Sequence, residues 1–293
     1  MGILLIFIDG IGIGEHNPDI NPLARFQSPY LSHFKTCFQK LPYHGIVVET
    51  DPTMGFAGLP QSATGQTALF TGENAAKILG RHLSGYPSPT LRALLKQESI
   101  FLKLEKSGKT ATFANAFTPE YLDRPARRIS ASTWAARAAS FPLRMVNSEL
   151  QEGTAVMHDI TNAFLHNNGY EIILRTPEEA AKNLADLADD FDFCLFEYFL
   201  TDVIGHRCDW QAAQETIAKL DAFLGTLLGA FDLQQQSIVV TSDHGNFEDL
   251  TTPVHTLNNI ATQIWGPARS QLATRVRSIE DITPAILSCL ISH

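Results

Sequence analysis

The stretch SIVVTSDHGN, residues 237–246, runs a short apolar segment straight into an acid, an imidazole and a glycine. Such a run reads as a buried parallel strand, because a strand covered on both faces has no polar side to alternate with. Two other segments have the same layout: ILLIFID, residues 3–9, ends on Asp9, and FCLFEYFLTD, residues 193–202, ends on Asp202. Functional groups of open α/β sheets gather beyond the carboxyl ends of the strands. Asp9, Asp202, Asp243 and His244 are therefore expected at one sheet edge, although they are far apart in the chain.

Outward from these three strands, apolar runs alternate with helical patterns. Strands are expected at 3–8, 44–49, 108–115, 192–199, 237–241 and 260–265. Helices are expected at 29–38, 65–79 (interrupted by Thr71 and Gly72), 89–106, 177–189, 209–230 and 278–290. Strand–helix alternation implies a mostly parallel sheet covered on both faces, a three-layer α/β/α sandwich. The pattern changes over 116–170, where Arg and Ala accumulate and strand signals fade. This segment reads as a small, mainly helical cap inserted into a core of residues 1–115 and 171–293, with GTAVMHDITNAFLHNNG at 153–169 as a helical stretch.

The totals exclude several classes of function. The chain has 293 residues and a net charge of −9, so it offers no general attraction to nucleic acid or anionic lipid. Any phosphate site must be built locally. Cys37, Cys194, Cys208 and Cys289 lack metal-site spacing and read as free thiols of a reducing compartment. The opening MGILLIFIDG has no basic leader and reads as a first strand, not a signal peptide; no apolar run reaches membrane-spanning length. The expectation is a cytoplasmic protein with a small-molecule partner, no nucleic-acid or membrane partner, and an undetermined oligomeric state.

The chemistry lies in Asp9, Asp202, His206, Asp243, His244 and His255. Asp202 and His206 stand four apart and share a face on a helical turn. Asp243 and His244 are neighbours at a strand end, where Gly245 permits a sharp turn. Taken singly, Asp9 would serve as a turn residue and His206 as a cap. Together, carboxylates and imidazoles without cysteine suit Zn or Mn, and Mg less well. Two such ions clamp the attacking and leaving oxygens of an in-line displacement at phosphorus.

Five segments carry a resemblance: IFIDGIGIG (6–14), SATGQTALFTG (62–72), TDVIGH (201–206), TSDHGNFED (241–249) and VH (254–255). In these the chain resembles the alkaline phosphatase superfamily, closest to the branch of cofactor-independent phosphoglycerate mutase and phosphopentomutase. The resemblance implies an alkaline phosphatase-like fold with two divalent ions. It assigns Asp9, Ser62, Asp243 and His244 to one ion, and Asp202, His206 and His255 to the other. It also implies a phosphoserine at the nucleophile. Ser62 is selected over Thr64 because it stands three residues before Gly65 and nine before the pair Thr71 and Gly72, the spacings of two branches. Arg81 and His82 are substrate candidates, with Arg124, Arg127 and Arg128 behind them. The chain departs from the mutases at Gln66, where they carry histidine, and in offering some fifty residues where they have a large second domain. A small cap favours water as acceptor. The expected activity is hydrolysis of a small phosphate monoester, with a phosphomutase and a phosphodiesterase or nucleotide pyrophosphatase as alternatives.

Overall fold

The computed structural model describes residues 2–291. Its strands, in chain order, are β1 (Ile3–Ile8), β2 (Ile46–Thr50), β3 (Ala111–Phe113), β4 (Ala116–Phe117), β5 (Arg144–Met145), β6 (Phe193–Tyr198), β7 (Ser237–Thr241) and β8 (Ile260–Trp265). Six of them form one sheet in the order β2-β8-β7-β1-β6-β3. The central strands β7, β1, β6 and β3 are parallel, whereas β8 pairs antiparallel with both β7 and β2. Every residue of β1, β6 and β7 is buried, as their unbroken apolar runs require.

Helices cover both faces. Leu4, Ile6 and Ile8 of β1 pack with Leu184, Leu220 and Leu224 from helices Pro177–Asp189 and Trp210–Ala230. The alternate residues Ile3, Leu5 and Phe7 pack with Phe70, Phe101 and Ile286 from helices Ser62–Thr71, Ile100–Lys106 and Ile282–Leu290. The three-layer sandwich is thus the observed fold. Among the described residues, no helix is long and apolar enough to cross a membrane.

Several local expectations are corrected. Residues 29–38 form turns and isolated bridges, and the helix nearby is Pro22–Phe26, capped by the Asn21 side chain and begun by proline. The 89–106 helix is two helices, because Ser99 is extended and its hydroxyl caps the second one. Within 153–169 only Ala163–Asn167 is helical. The segment 116–170 holds short helices and the small parallel sheet β4-β5. Its helix Ala131–Ala136 is drawn into the main core, where Ala131, Ala135 and Ala136 are buried in one cluster with Leu95 and Phe101. Alanine's small side chain permits that close approach, so the helix lies against the core instead of above it.

Candidate metal centre

The register of the sheet builds the site. β1 is aligned with β7 so that Phe7 faces Thr241, and two residues further on Asp9 comes level with Asp243. β1 is aligned with β6 so that Ile8 faces Tyr198, and helix Leu200–Arg207 starts just beyond. That helix carries Asp202 and His206 on one face. Gly10, at φ +76°, lets the chain after β1 turn against it; a Cβ there would lie 3.0 Å from the Asp202 Cα. Gly205 sits in the same helix because Asn246 packs onto it, with side-chain atoms 2.7 Å from where a Cβ would be.

Two groups of donor atoms result. In the first, His244 Nε2 lies 3.4 Å from Asp9 Oδ1, 3.4 Å from Asp243 Oδ2 and 3.0 Å from Ser62 Oγ. Ser62 is the first residue of helix Ser62–Thr71, and Gln61 caps that helix without a side-chain hydrogen bond. Thr64, by contrast, has its hydroxyl engaged: it donates to the Gln61 carbonyl and accepts from the Leu83 amide. In the second group, Asp202 Oδ2 is 3.4 Å from His206 Nε2, and Asp202 Oδ1 is 3.5 Å from His255 Nε2. Donor atoms of Asp202, His244 and His255 lie within 4.8 Å of one another, as do those of Asp9, Asp243 and His244. His244 thus belongs to both groups and stacks on His255 at 3.6 Å between ring centroids. His206 stands at the open rim of the second group.

The donor chemistry fits cations. His206 Nδ1 meets the Pro253 carbonyl at 2.7 Å and His255 Nδ1 meets that of Pro60 at 2.9 Å. A carbonyl only accepts, so each Nδ1 carries a hydrogen and each ring turns its Nε2 toward the cluster. Those two Nε2 atoms are 3.2 Å apart. Asp9 Oδ1, Asp243 Oδ1 and His244 Nδ1 are buried without any partner. Buried carboxylate oxygens left without partners are costly unless a positive charge joins them.

The electrostatics differ between the groups. Burial, and then the Asp243 and Asp202 carboxylates, raise the Asp9 pKa well above the usual range. Burial lowers that of His244, against the pull of Asp243. Burial also opposes ionisation of Asp202, but His255, His244, Asn246 and His206 outweigh it and hold the carboxyl at about 2.

Residues outside the expected set complete the site. The Gln66 amide donates to Asp9 Oδ2 at 3.0 Å and Asp243 Oδ2 at 3.2 Å, bridging the buried carboxylates. Asn246 Nδ2 donates to Asp202 Oδ1 at 2.8 Å. Glu197, in β6, is buried and accepts from Ser132 Oγ at 2.7 Å. Burial pushes its carboxyl up to about 7, with Asp243 adding to the effect. Glu197 had a readable signal, an acid inside the apolar run FCLFEYFL.

A cavity of about 760 Å³ opens beside the cluster, lined at its inner end by Asp9, Ser62, Gln66 and Asp202. Of the arginine candidates Arg124 lines it, while Arg127 and Arg128 lie in the exposed turn Ala126–Arg128. Arg81 and His82 line a separate shallow groove with Phe56 and Gln61, where His82 Nε2 meets the Phe56 carbonyl at 3.1 Å. The structure does not bring these two to the cavity. Cys194 and Cys289 are buried, Cys208 is half-buried and Cys37 exposed, all as free thiols.

The profile of the Metalloenzyme superfamily matches residues 1–292. The chain belongs to that superfamily. The 2,3-bisphosphoglycerate-independent phosphoglycerate mutase of Roseobacter denitrificans is 29% identical over 123 residues, covering 38% of this chain and 24% of the mutase. The chain thus aligns with about a quarter of the length of that curated relative. Among solved structures, a protein from Pyrococcus horikoshii superposes with a TM-score of 0.60 at 17% identity, over 99% of this chain and 96% of that one. A cold-active alkaline phosphatase from a psychrophilic Shewanella species gives 0.53 at 13% identity, over 99% of this chain and 100% of the phosphatase. The shared fold is that of alkaline phosphatase, and the superfamily is one of metal-dependent enzymes.

Proposed function

We propose that the chain is a phosphoric-ester hydrolase, a phosphomonoesterase for a small phosphorylated metabolite, working through a phosphoserine at Ser62 beside two divalent ions, Zn or Mn, with Mg an alternative. In this reading Asp9, Ser62, Asp243 and His244 hold one ion, and Asp202, His206 and His255 the other. The observation that carries it is the convergence of Ser62 Oγ, Asp9 Oδ1 and Asp243 Oδ2 on His244 Nε2, within 3.0 to 3.4 Å, at the floor of an open cavity. When bound, the cations would lower the pKa of the Ser62 hydroxyl and offset charge on the phosphoryl oxygens.

The chain's own residues do the rest. Ser62 Oγ gives its proton to solvent and bonds to phosphorus while the bond from phosphorus to the leaving oxygen breaks; that oxygen keeps the bonding pair and takes a proton from solvent. Water then attacks the phosphoserine and loses a proton to solvent, and the bond from phosphorus to Oγ breaks, with Oγ keeping the pair and regaining a proton. The sum is ester plus water giving alcohol plus inorganic phosphate. The helix that begins at Ser62 directs its positive end at the phosphoryl group. Gln66 holds Asp9 and Asp243 in place. A net charge of −9 supports a small substrate over a nucleic acid, and a cytoplasmic setting suits four free thiols.

The matched stretch of a phosphoglycerate mutase supports a second reading, return of the phosphoryl group to the dephosphorylated intermediate. The deciding assay supplies Mn²⁺ or Zn²⁺ with p-nitrophenyl phosphate and bis-p-nitrophenyl phosphate, and includes Ser62→Ala. Phosphate released from the monoester and lost in the variant supports the hydrolase. Faster turnover of the diester points to a phosphodiesterase. Interconversion of phosphoglycerates without net release of phosphate makes the chain a mutase.

A further inference from the structure

The cavity walls differ sharply from its floor. The floor is polar and acidic, while the walls carry two groups of aromatic side chains and come mostly from segments that hold none of the candidate metal ligands. On one side Phe117 and Tyr121 stack at 5.6 Å between centroids and 25° between planes. The Tyr121 hydroxyl is already committed, donating to Ser130 Oγ at 3.0 Å and accepting from the Ser130 amide at 3.1 Å. Tyr121 therefore offers the cavity mainly its ring. Another part of the wall holds a second aromatic group: His158 stacks on Phe199 at 4.6 Å and 18°, and Phe164 meets His158 edge-on at 4.9 Å. Burial pushes the His158 pKa down to about 4, with Lys219 adding to the effect against Asp159, so near neutrality this wall is uncharged.

Phe164 is 47% exposed, although it lines the cavity. A large apolar side chain left open beside a reactive floor is available to cover something that arrives. Arg124 and Arg207 are both exposed and line the same cavity, and among the described residues neither forms an ion pair. A volume of about 760 Å³ lies in the range of drug-sized ligands and far exceeds what a phosphoryl group with a three-carbon alcohol fills. A short polyol or hydroxy-acid phosphate would leave Phe164 and the open parts of Tyr121 and Phe199 against water. A planar ring would cover them by stacking.

We propose that the substrate of this site is an anionic phosphate ester whose leaving group carries a planar ring system, the ring resting on the walls formed by Tyr121, Phe164 and Phe199, with Phe117 backing Tyr121, and with Arg124 and Arg207 drawing in its negative charge. This rests on the phosphoester reading for the floor, Ser62 and the metal ligands, but makes a claim about the walls that can fail by itself.

The test is calorimetric binding to Mn²⁺-loaded Ser62→Ala protein, with adenosine 5′-monophosphate, glycerol 3-phosphate and inorganic phosphate as probes. Phosphate release from both esters is measured in parallel on the unaltered chain. The expected result is that adenosine monophosphate binds at least tenfold tighter than glycerol 3-phosphate, and that Phe164→Ala cuts this ratio severalfold. Phe164 is half-exposed, so its loss leaves the core intact; retained metal affinity checks this. Equal affinity for the two esters, or a ratio untouched by Phe164→Ala, overturns the proposal even if both esters are hydrolysed. Tight, Phe164-dependent binding without release of phosphate from either ester sustains the assignment of the walls and sinks the hydrolase reading.

Discussion

The two halves of the candidate metal centre meet the same electrostatic problem in opposite ways. Asp9, Asp243 and His244 are buried, and two of their carboxylate oxygens have no partner. Around Asp202 the site is more open, and two imidazoles and an asparagine amide already serve its carboxylate. The first group leaves Asp9 with a strongly raised pKa, and the second holds Asp202 at about 2. The difference teaches where a cation matters most to the fold: the buried group is self-repelling without one, whereas the open group is largely compensated by its own neighbours.

The largest effect that sharpens this contrast is on turnover. Ser62→Ala and Asp243→Asn are expected to lower kcat by on the order of 10³-fold or more, measured as phosphate release with saturating Mn²⁺. His206→Ala, at the exposed rim, is expected to lose activity that raised metal concentration partly restores. Equal, metal-insensitive losses in all three would erase the distinction.

A pH titration of chelator-treated protein separates the groups next. Glu197 has a folded pKa of about 7 against an ordinary 4.5, because burial favours its neutral form. Its contribution to stability is therefore fully present below about 4.5 and is lost as pH rises through about 7, amounting to about 3 kcal/mol. Asp9 has the same sign. Asp202 has the opposite sign: its contribution is present above 3.8 and is lost as pH falls through about 2. Denaturant melts of the chelator-treated protein should weaken between pH 5 and 8, and Glu197→Gln should flatten that slope. A slope unchanged in the variant removes Glu197 from the account.

Metal addition comes third. At a hundredfold excess over Kd, a bound ion stabilises by about 2.7 kcal/mol, so chelation should lower Tm by on the order of 5 °C. In Asp243→Asn the same metal concentration should give a smaller shift, since one of the two buried carboxylates is gone. An equal shift would place the stabilising ion in the open group.

Legibility in the sequence follows the same physical divide. The strand ends were readable because buried parallel strands leave unbroken apolar runs, and Asp9, Asp202 and Asp243 interrupt or close them. His206 was readable from its four-residue spacing to Asp202. Helix 29–38 was misread because its apolar residues pack through isolated bridges, such as Phe34 with Cys37, that follow no periodic pattern. Gln66 and Asn246 escaped because neutral amides look alike whether they orient a ligand or face solvent. The cavity walls escaped for a different reason: Phe117 and Tyr121 stand four apart, but only tertiary packing brings them to the same cavity as Phe164 and Phe199. Arg81 and His82 followed the nucleophile closely in sequence, but the fold after helix Ala75–Leu79 carries them to another groove.

The smallest expected effect tests whether the open group is as self-sufficient as its geometry implies. Asn246 is buried and donates from one Nδ2 to both Asp202 Oδ1 and the Asp202 carbonyl, while its own Oδ1 has no partner. It carries no charge, so removing it changes the aim of the carboxylate but not the charge of the site. Partners that orient metal ligands are worth about 10- to 100-fold in affinity. Asn246→Ala should fall near the lower end, about tenfold, because the Pro60 and Pro253 carbonyls still fix the rings of His255 and His206. Two-site metal titration of the variant reads this directly. A loss confined to one binding event keeps the two groups separable. Equal weakening of both events would mean that His244, whose ring belongs to each group, couples them into a single site.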